Sequence, residues 1–328
     1  MWLKPYSTRP VGVQEARRKP VSKGARAFLD SADPAAPPIR DLPLDDARQA
    51  MDELMLAVDQ PGPDVAMVED AVGPEVQGEA ARLRCYTPSM PDGAPPRGIL
   101  IFLHGGGWTL GNTRAYDGFA RRLCQATGHL VASVDYPLSP EHKYPAALHA
   151  GLSAIHWAIH TAHRLDLPPG ALALAGDSAG GTLAAALALR TARSVRLSHL
   201  ALFYPVMVIE DQPEHASRAI LGDGSYFLSR EDINWAAGNY LSEPGQARLI
   251  DASPLLAPSF DHLPPVTVIT AGYDPLRDEG ADFVRRVTGA GVDARLYCFE
   301  GVVHGFMGLS QVMDESRTAF ELLARRMR

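Results

Sequence analysis

The hexapeptide Gly176-Asp177-Ser178-Ala179-Gly180-Gly181 constrains this chain more than any other stretch. Ahead of it runs Ala171-Leu172-Ala173-Leu174-Ala175, short, apolar and ended by glycine, the pattern of a buried strand. Behind it, residues 182–190 are mostly alanine and leucine, a strong helix former. The serine therefore falls on a strand-to-helix turn, with glycine two residues before it and two after. In so sharp a turn, side chains at the flanking positions would collide, and glycine removes the collision. The hydroxyl is then held away from the sheet at the positive end of a helix, as an activated nucleophile requires. A glycine-rich turn without chemistry could carry the same six letters. The reading depends on whether the chain supplies partners for Ser178.

A serine nucleophile needs a base, because a free hydroxyl is weakly nucleophilic at neutral pH. The chain has eleven histidines. His149, His156, His160 and His163 fall near one face of a helix expected over about 146–163. His156 and His160 have the spacing of metal ligands, but no H-E-x-x-H pattern accompanies them, so an exposed helix face is the better reading and no metal is expected. His304 lies in Gly301-Val302-Val303-His304-Gly305-Phe306, between the last expected strand and the last helix, on a loop at the same edge as Ser178. The base in turn needs an acceptor that fixes its tautomer. Asp274 follows the strand Val266 to Ala271 directly. Its competitors Asp278 and Glu279 fall on the first turn of the next helix, where acids commonly complement the dipole.

The third requirement is donors for an oxyanion. His104-Gly105-Gly106-Gly107-Trp108 follows the continuous apolar run Ile99 to Leu103, and three glycines let backbone N–H groups approach a substrate. Ala179, next to the nucleophile, would add another. A phosphate cradle is the alternative, but the lysine and hydroxyl of a P-loop are missing, as is G-x-G-x-x-G.

Around these stretches, strands and helices alternate from about residue 98 to the end, which predicts a mostly parallel sheet covered by helices on both faces. Eight strands are expected, counting a weak first one at Val65 to Val72 and an alternating one at Ala81 to Tyr86. The rhythm stops between Val206 and about Pro264, a segment too long and too aromatic for a plain loop. The first sixty-odd residues are also irregular. Lys4 to Lys23 is polar and carries the basic run Arg17-Arg18-Lys19, while Pro34, Pro37, Pro38 and Pro43 mark a linker. Leu44, Ala47, Met51, Leu54, Met55 and Val58 then recur at helical spacing before Pro61-Gly62-Pro63. The division expected is an N-terminal helical cap segment over 1–64 and a catalytic domain over 65–328, with 207–264 inserted as a second cap segment. Trp108, Met207 and Phe227 are the candidate pocket residues.

Together HGGGW at 104–108, DYPLSPEHKYP at 135–145, GDSAGG at 176–181, YDPLRDEG at 273–280 and HGF at 304–306 resemble the hormone-sensitive-lipase family of esterases, the fold-3 or GDXG group of α/β-hydrolases. The resemblance covers about residues 98–306, with the fold running on to the C-terminus. It implies an α/β-hydrolase fold with a helical cap, and the chain order Ser, Asp, His is the one that fold uses. It further implies Ser178 as nucleophile, His304 as base, Asp274 as acid, and backbone amides among Gly105, Gly106, Gly107 and Ala179 as the oxyanion hole. The activity implied is carboxylester hydrolysis on short to medium acyl chains with no cofactor, and a homodimer is the family expectation. Pro137 and Ser139 depart from the family, which commonly has arginine and alanine there, beside Glu141.

Other classes fit less well. A formal charge of -7 gives no basic footprint for nucleic acid or an anionic membrane. Cys85, Cys124 and Cys298 are odd in number and widely spaced, which fits a reducing, cytoplasmic setting. Residues 1–5 lack the apolar run of a signal peptide, and no stretch is apolar enough to span a bilayer. A non-catalytic receptor on the same scaffold would be expected to lack the histidine base, and His304 is present. Amidases, peptidases and lactonases use the same triad and stay open on sequence grounds.

Overall fold

The computed structural model describes residues 6–9, 20–33 and 35–328. Arg17, Arg18, Lys19 and Pro34 lie outside them. The organising element is a nine-stranded sheet of order β1-β9-β8-β7-β6-β4-β5-β3-β2. Its strands are β1 (Tyr6–Ser7), β2 (Met67–Val76), β3 (Glu79–Thr87), β4 (Ile99–Leu103), β5 (Leu130–Asp135), β6 (Leu172–Asp177), β7 (Leu197–Phe203), β8 (Val266–Tyr273) and β9 (Ala294–Val303). From β5 across to β9 the neighbours are parallel, while β2, β3 and β1 pair antiparallel at the two edges. The eight strands expected from sequence are β2 to β9. The ninth, β1, is a two-residue edge strand pairing Tyr6 with Phe299 and Ser7 with Cys298, too short to leave a periodic signal.

Every residue of β4, β6 and β8 is buried, as expected for strands covered on both faces. The two-residue period of the strand divides them between two cores. Ile99, Ile101, Leu103, Leu172, Leu174, Leu200 and Leu202 pack on one face. Leu100, Phe102, Ala173, Ala175, Ala201 and Phe203 pack on the other. The first core is closed by α4 (Ala146–Arg164), α5 (Ala179–Thr191) and α8 (Arg277–Gly289). The second is closed by α1 (Lys23–Asp30), α2 (Leu44–Val58), α3 (Asp117–Thr127) and α9 (Glu315–Arg326). Helix α5 is buried almost all round, which is why its sequence shows no polar stripe. His156, His160 and His163 on α4 are exposed.

Between β7 and β8 stand α6 (Ala216–Leu221), α7 (Arg230–Tyr240) and short 3-10 turns. This segment is anchored by a buried ion pair. Arg218 of α6 donates to Glu279 Oε2 from Nε (3.0 Å) and Nη2 (2.7 Å), and Glu279 Oε1 accepts the Met207 N–H at 2.7 Å. The same guanidinium reaches the carbonyls of Val208 and Ile209. Glu279 is thus a tie between α8 and the inserted segment, fully buried, where its position in a first helical turn suggests only a dipole role. Removing one member of a buried pair strands the other charge, so Glu279→Ala is expected to lose ~3–5 kcal/mol of stability in denaturant unfolding. A loss below about 1 kcal/mol would contradict the anchoring role.

Candidate active site

Parallel strands bring their carboxyl ends to one edge of the sheet, and ligands of open α/β sheets bind there. Ser178 follows β6, Asp274 follows β8, His304 follows β9 and the glycine stretch 104–107 follows β4. The backbone of Ser178 is forced into the left-handed region, φ 52° and ψ −121°. The turn survives because its flanks are bare. A Cβ on Gly176 would run into the Gly180 carbonyl, and one on Gly180 into the carbonyls of Leu103 and His104. The strained serine is pinned by its own peptide groups: its N–H donates to Phe203 O at 2.9 Å, and its carbonyl accepts from Gly181 (3.0 Å) and Val206 (3.1 Å).

The three side chains singled out in the sequence meet. His304 Nε2 lies 2.9 Å from Ser178 Oγ, and His304 Nδ1 lies 2.8 Å from Asp274 Oδ2. The second carboxylate oxygen of Asp274 accepts the Leu276 N–H at 2.8 Å, which fixes the carboxylate plane. Asp274 is inaccessible and His304 only 6% exposed. The strand between those of Ser178 and Asp274 contributes Tyr204, whose ring packs edge-on to the imidazole with centroids 5.0 Å apart. With one nitrogen held by a carboxylate, the other can take a proton from the hydroxyl.

The glycine turn is strained as well. Gly106, Gly107 and Trp108 have φ of 110°, 60° and 58° in succession. A Cβ on Gly107 would come within 2.7 Å of Ala236 Cβ. The N–H groups of Gly106 and Gly107 have no acceptor among the described residues, and that of Ala179 is one of the free first amides of α5. Gly105 differs from the expectation: its N–H donates to Asp177 Oδ1 at 2.7 Å, so it holds the turn in place and is not free for an oxyanion. Asp177 Oδ2 also accepts the Tyr116 hydroxyl at 3.1 Å. Asp177, the residue before Ser178, therefore ties the glycine turn to the serine turn. Burial pushes its carboxyl up to about 7, against the opposing pull of Tyr116 and Gly105.

A cavity of about 780 Å³ opens over Ser178. Its walls come from both irregular regions, with Met51, Leu54 and Met55 on α2 and Phe227, Leu228 and Ile233 from the inserted segment. Trp108 and Phe227 are among its lining residues. Met207 is not: it is fully buried, its N–H is held by Glu279, and its neighbour Val206 faces the cavity instead. Sequence reasoning passed over Asp177, although it lies inside the hexapeptide. It also passed over Tyr116 and Arg48, which no motif marks. Arg48 of α2 forms a fork-to-fork pair with Glu141 at 2.8 and 2.7 Å.

A model of the α/β hydrolase fold family matches residues 100–308. The chain belongs to that family. It is 36% identical over 265 residues to a carboxylic ester hydrolase, LipN, of Mycobacterium tuberculosis, covering 77% of this chain and 68% of the relative. An ethyl acetate hydrolase of Pseudomonas putida is 29% identical over 85% of this chain and 88% of its own length. Among solved structures, an ester hydrolase from the Lake Arreo metagenome, EH1AB1, complexed with a bipyridine phosphonate derivative, superposes with a TM-score of 0.87 at 32% identity, covering 94% of this chain and 98% of that one. This α/β-hydrolase is therefore an enzyme with relatives named as carboxylic ester hydrolases and esterases, as its motifs suggest. Among the described residues no helix is long and apolar enough to cross a membrane.

The elevated carboxyl of Asp177 has a consequence for stability. Its folded value, about 7, lies above the ordinary aspartate value, so the folded state holds a proton that the unfolded chain has released. The protein is expected to lose stability as pH rises from about 4 to about 7, by up to a few kcal/mol from this group. Asp177→Asn, which cannot ionise, removes that contribution. The unfolding free energy of the variant minus that of wild type should therefore rise with pH across this range. Parallel curves would contradict the assignment.

Proposed function

We propose that this α/β-hydrolase is a serine carboxylester hydrolase acting on short- to medium-chain acyl esters. The observation that carries the reading is the unbroken path Ser178 Oγ to His304 Nε2 (2.9 Å) and His304 Nδ1 to Asp274 Oδ2 (2.8 Å) at the floor of an apolar cavity. In this reading Ser178 Oγ attacks the ester carbonyl carbon while its proton passes to His304 Nε2. The carbonyl oxygen becomes an oxyanion facing the N–H groups of Gly106, Gly107 and Ala179. As the C–O bond to the alcohol breaks, His304 returns the proton to the leaving oxygen, and the acyl group stays on Ser178. A water, deprotonated by the same imidazole, then attacks the acyl carbon. The acid is released and the proton returns to Ser178. Asp274 holds the imidazole in the required tautomer and stabilises its cation.

We read residues 1–64 and 207–264 as two cap segments, because both give walls to the cavity above Ser178. Their apolar side chains, methionine and leucine on one side and phenylalanine, leucine and isoleucine on the other, suit an acyl chain, while Asp33, Arg40, Asp223, Glu231 and Asp232 add charged groups to the same lining. The cavity's size and the ethyl acetate hydrolase relative favour short to medium esters. The presence of His304 argues against a non-catalytic receptor.

Ser178→Ala should fold normally and lose kcat by ~10⁴-fold or more on nitrophenyl esters. Near-wild-type turnover by that variant would overturn the mechanism. Across nitrophenyl esters from acetyl to dodecanoyl, kcat/KM should peak at or below about six carbons, since an apolar pocket of fixed depth gains only about 1–3 kcal/mol per fitting methylene and rejects longer chains. A maximum at the longest chain would contradict the assigned substrate class, and faster turnover of the matched anilide would make the protein an amidase.

A further inference from the structure

The oxyanion turn adopts a conformation it would not keep alone. Three successive residues with left-handed φ, one of them a tryptophan, are stable only where surrounding contacts over-determine them. On the inner side the contacts come from the sheet: Gly105 N–H to Asp177, and the Tyr136 hydroxyl to His104 O at 2.7 Å. On the outer side the turn is closed by Thr109 and Leu110 N–H donating to Gly106 O, and by Ser139 N–H donating to Trp108 O at 2.8 Å. The carbonyls left at that outer edge belong to Thr109 and Ser139, both buried residues. One guanidinium reaches both. Arg48 Nε donates to Thr109 O at 3.1 Å and Arg48 Nη2 to Ser139 O at 3.2 Å, while the fork of Nη1 and Nη2 is fixed by the two oxygens of Glu141 at 2.8 and 2.7 Å.

Arg48 belongs to α2, outside the sheet and its crossover helices. The same helix gives Met51, Leu54 and Met55 to the cavity wall. Besides its packing on the second core, polar contacts seat it: Asp52 accepts from Asn112 Nδ2 at 2.6 Å, and Asp59, at its C-terminal end, pairs with Arg122 and accepts from Ser310 at 2.6 Å. One face of α2 thus touches the acyl side of the cavity, and Arg48 connects the helix to the far end of the oxyanion turn. Pro137 and Ser139 offer no cation of their own to Glu141.

We propose that Arg48 is a positioning residue for the proposed ester hydrolysis: it couples the seating of the N-terminal helix to the alignment of the oxyanion turn. The N-terminal segment then contributes to the transition state as well as to the pocket wall. The planar fork matters, because Arg48 makes four hydrogen bonds in fixed directions, to two carbonyls and both oxygens of one carboxylate, and an ammonium has only three donors. A lysine keeps the charge and loses the geometry. The inference rests on the serine-esterase reading above, and the test separates the two.

The experiment compares wild type, Arg48→Ala, Arg48→Lys and Glu141→Gln on one nitrophenyl ester, with active sites counted by phosphonate titration so that misfolded protein is excluded. The probe for the transition state is a trifluoromethyl ketone, to whose carbonyl Ser178 adds reversibly to give a tetrahedral oxyanion. Both Arg48 variants are expected to lose kcat by ~10-fold or more per titrated site, since small misplacements of oxyanion donors cost one to three decades in rate. KM should change far less, and ketone affinity should fall by the same factor as kcat/KM. Glu141→Gln should shift in the same direction by less. Millimolar guanidinium, and not ammonium at equal ionic strength, should restore part of the kcat of Arg48→Ala. Unchanged kcat in both Arg48 variants would overturn the proposal. A rise in KM alone would also overturn it, because Arg48 would then shape only the pocket. So would recovery of full kcat by lysine, which would reduce the role to charge. If the esterase reading itself failed, the phosphonate would titrate no sites in the wild type.

Discussion

The close approach of bare backbone around Ser178 is the constraint on which the rest of the site depends. The serine holds φ 52° because Gly176 and Gly180 let the strand end, the helix start and the β4 terminus pass within contact of each other. A side chain at Gly180 would push the serine turn away from the Leu103 and His104 carbonyls, and one at Gly176 would collide with Gly180 inside the turn. The parallel sheet makes this useful. It delivers Asp274 and His304 to the same edge, so the strained serine meets His304 Nε2 at 2.9 Å. The strain itself costs on the order of 1–3 kcal/mol, which a core packed on both faces of the sheet readily absorbs.

A second strained turn faces the first, and it is held from two directions. Asp177 grips Gly105 from the sheet, beneath the site. Arg48 grips Thr109 and Ser139 from the N-terminal helix, above it. The inner hold is buried. The outer one is half-exposed, with Arg48 and Glu141 side chains 24% and 50% accessible, and so depends on how α2 is seated. A surface ion pair alone would be worth little. What sets this one apart is that its guanidinium also satisfies two carbonyls beside the glycine turn.

Much of this was legible in the sequence, for reasons that can be traced to particular residues. The doubly buried strands announced themselves because Ile99 to Leu103 and Leu172 to Ala175 have no polar face. The proposed triad was legible because each member lies directly after a strand of the parallel sheet, and topology alone then places them together. Other features leave no local trace. Arg48 and its acceptors lie 61 to 93 residues apart, so only folding reveals their meeting. Glu279 reads as a helix-dipole acid until Arg218 is found against it. Asp177 and Gly105 are both inside recognisable motifs, yet which motif atoms face a substrate and which face each other is a matter of backbone direction that spacing does not encode. Met207 shows the same limit, since the one-residue step from Val206 decides which side chain meets the cavity.

The most direct test of the account is the mass and position of a covalent adduct. After reaction with an organophosphonate ester, the peptide carrying Gly176 to Gly181 should gain the mass of one phosphonyl group, localised to Ser178 by fragmentation, with loss of activity in step with labelling. Stoichiometric inactivation with the label on any other residue, or no label at all on an active preparation, would contradict it.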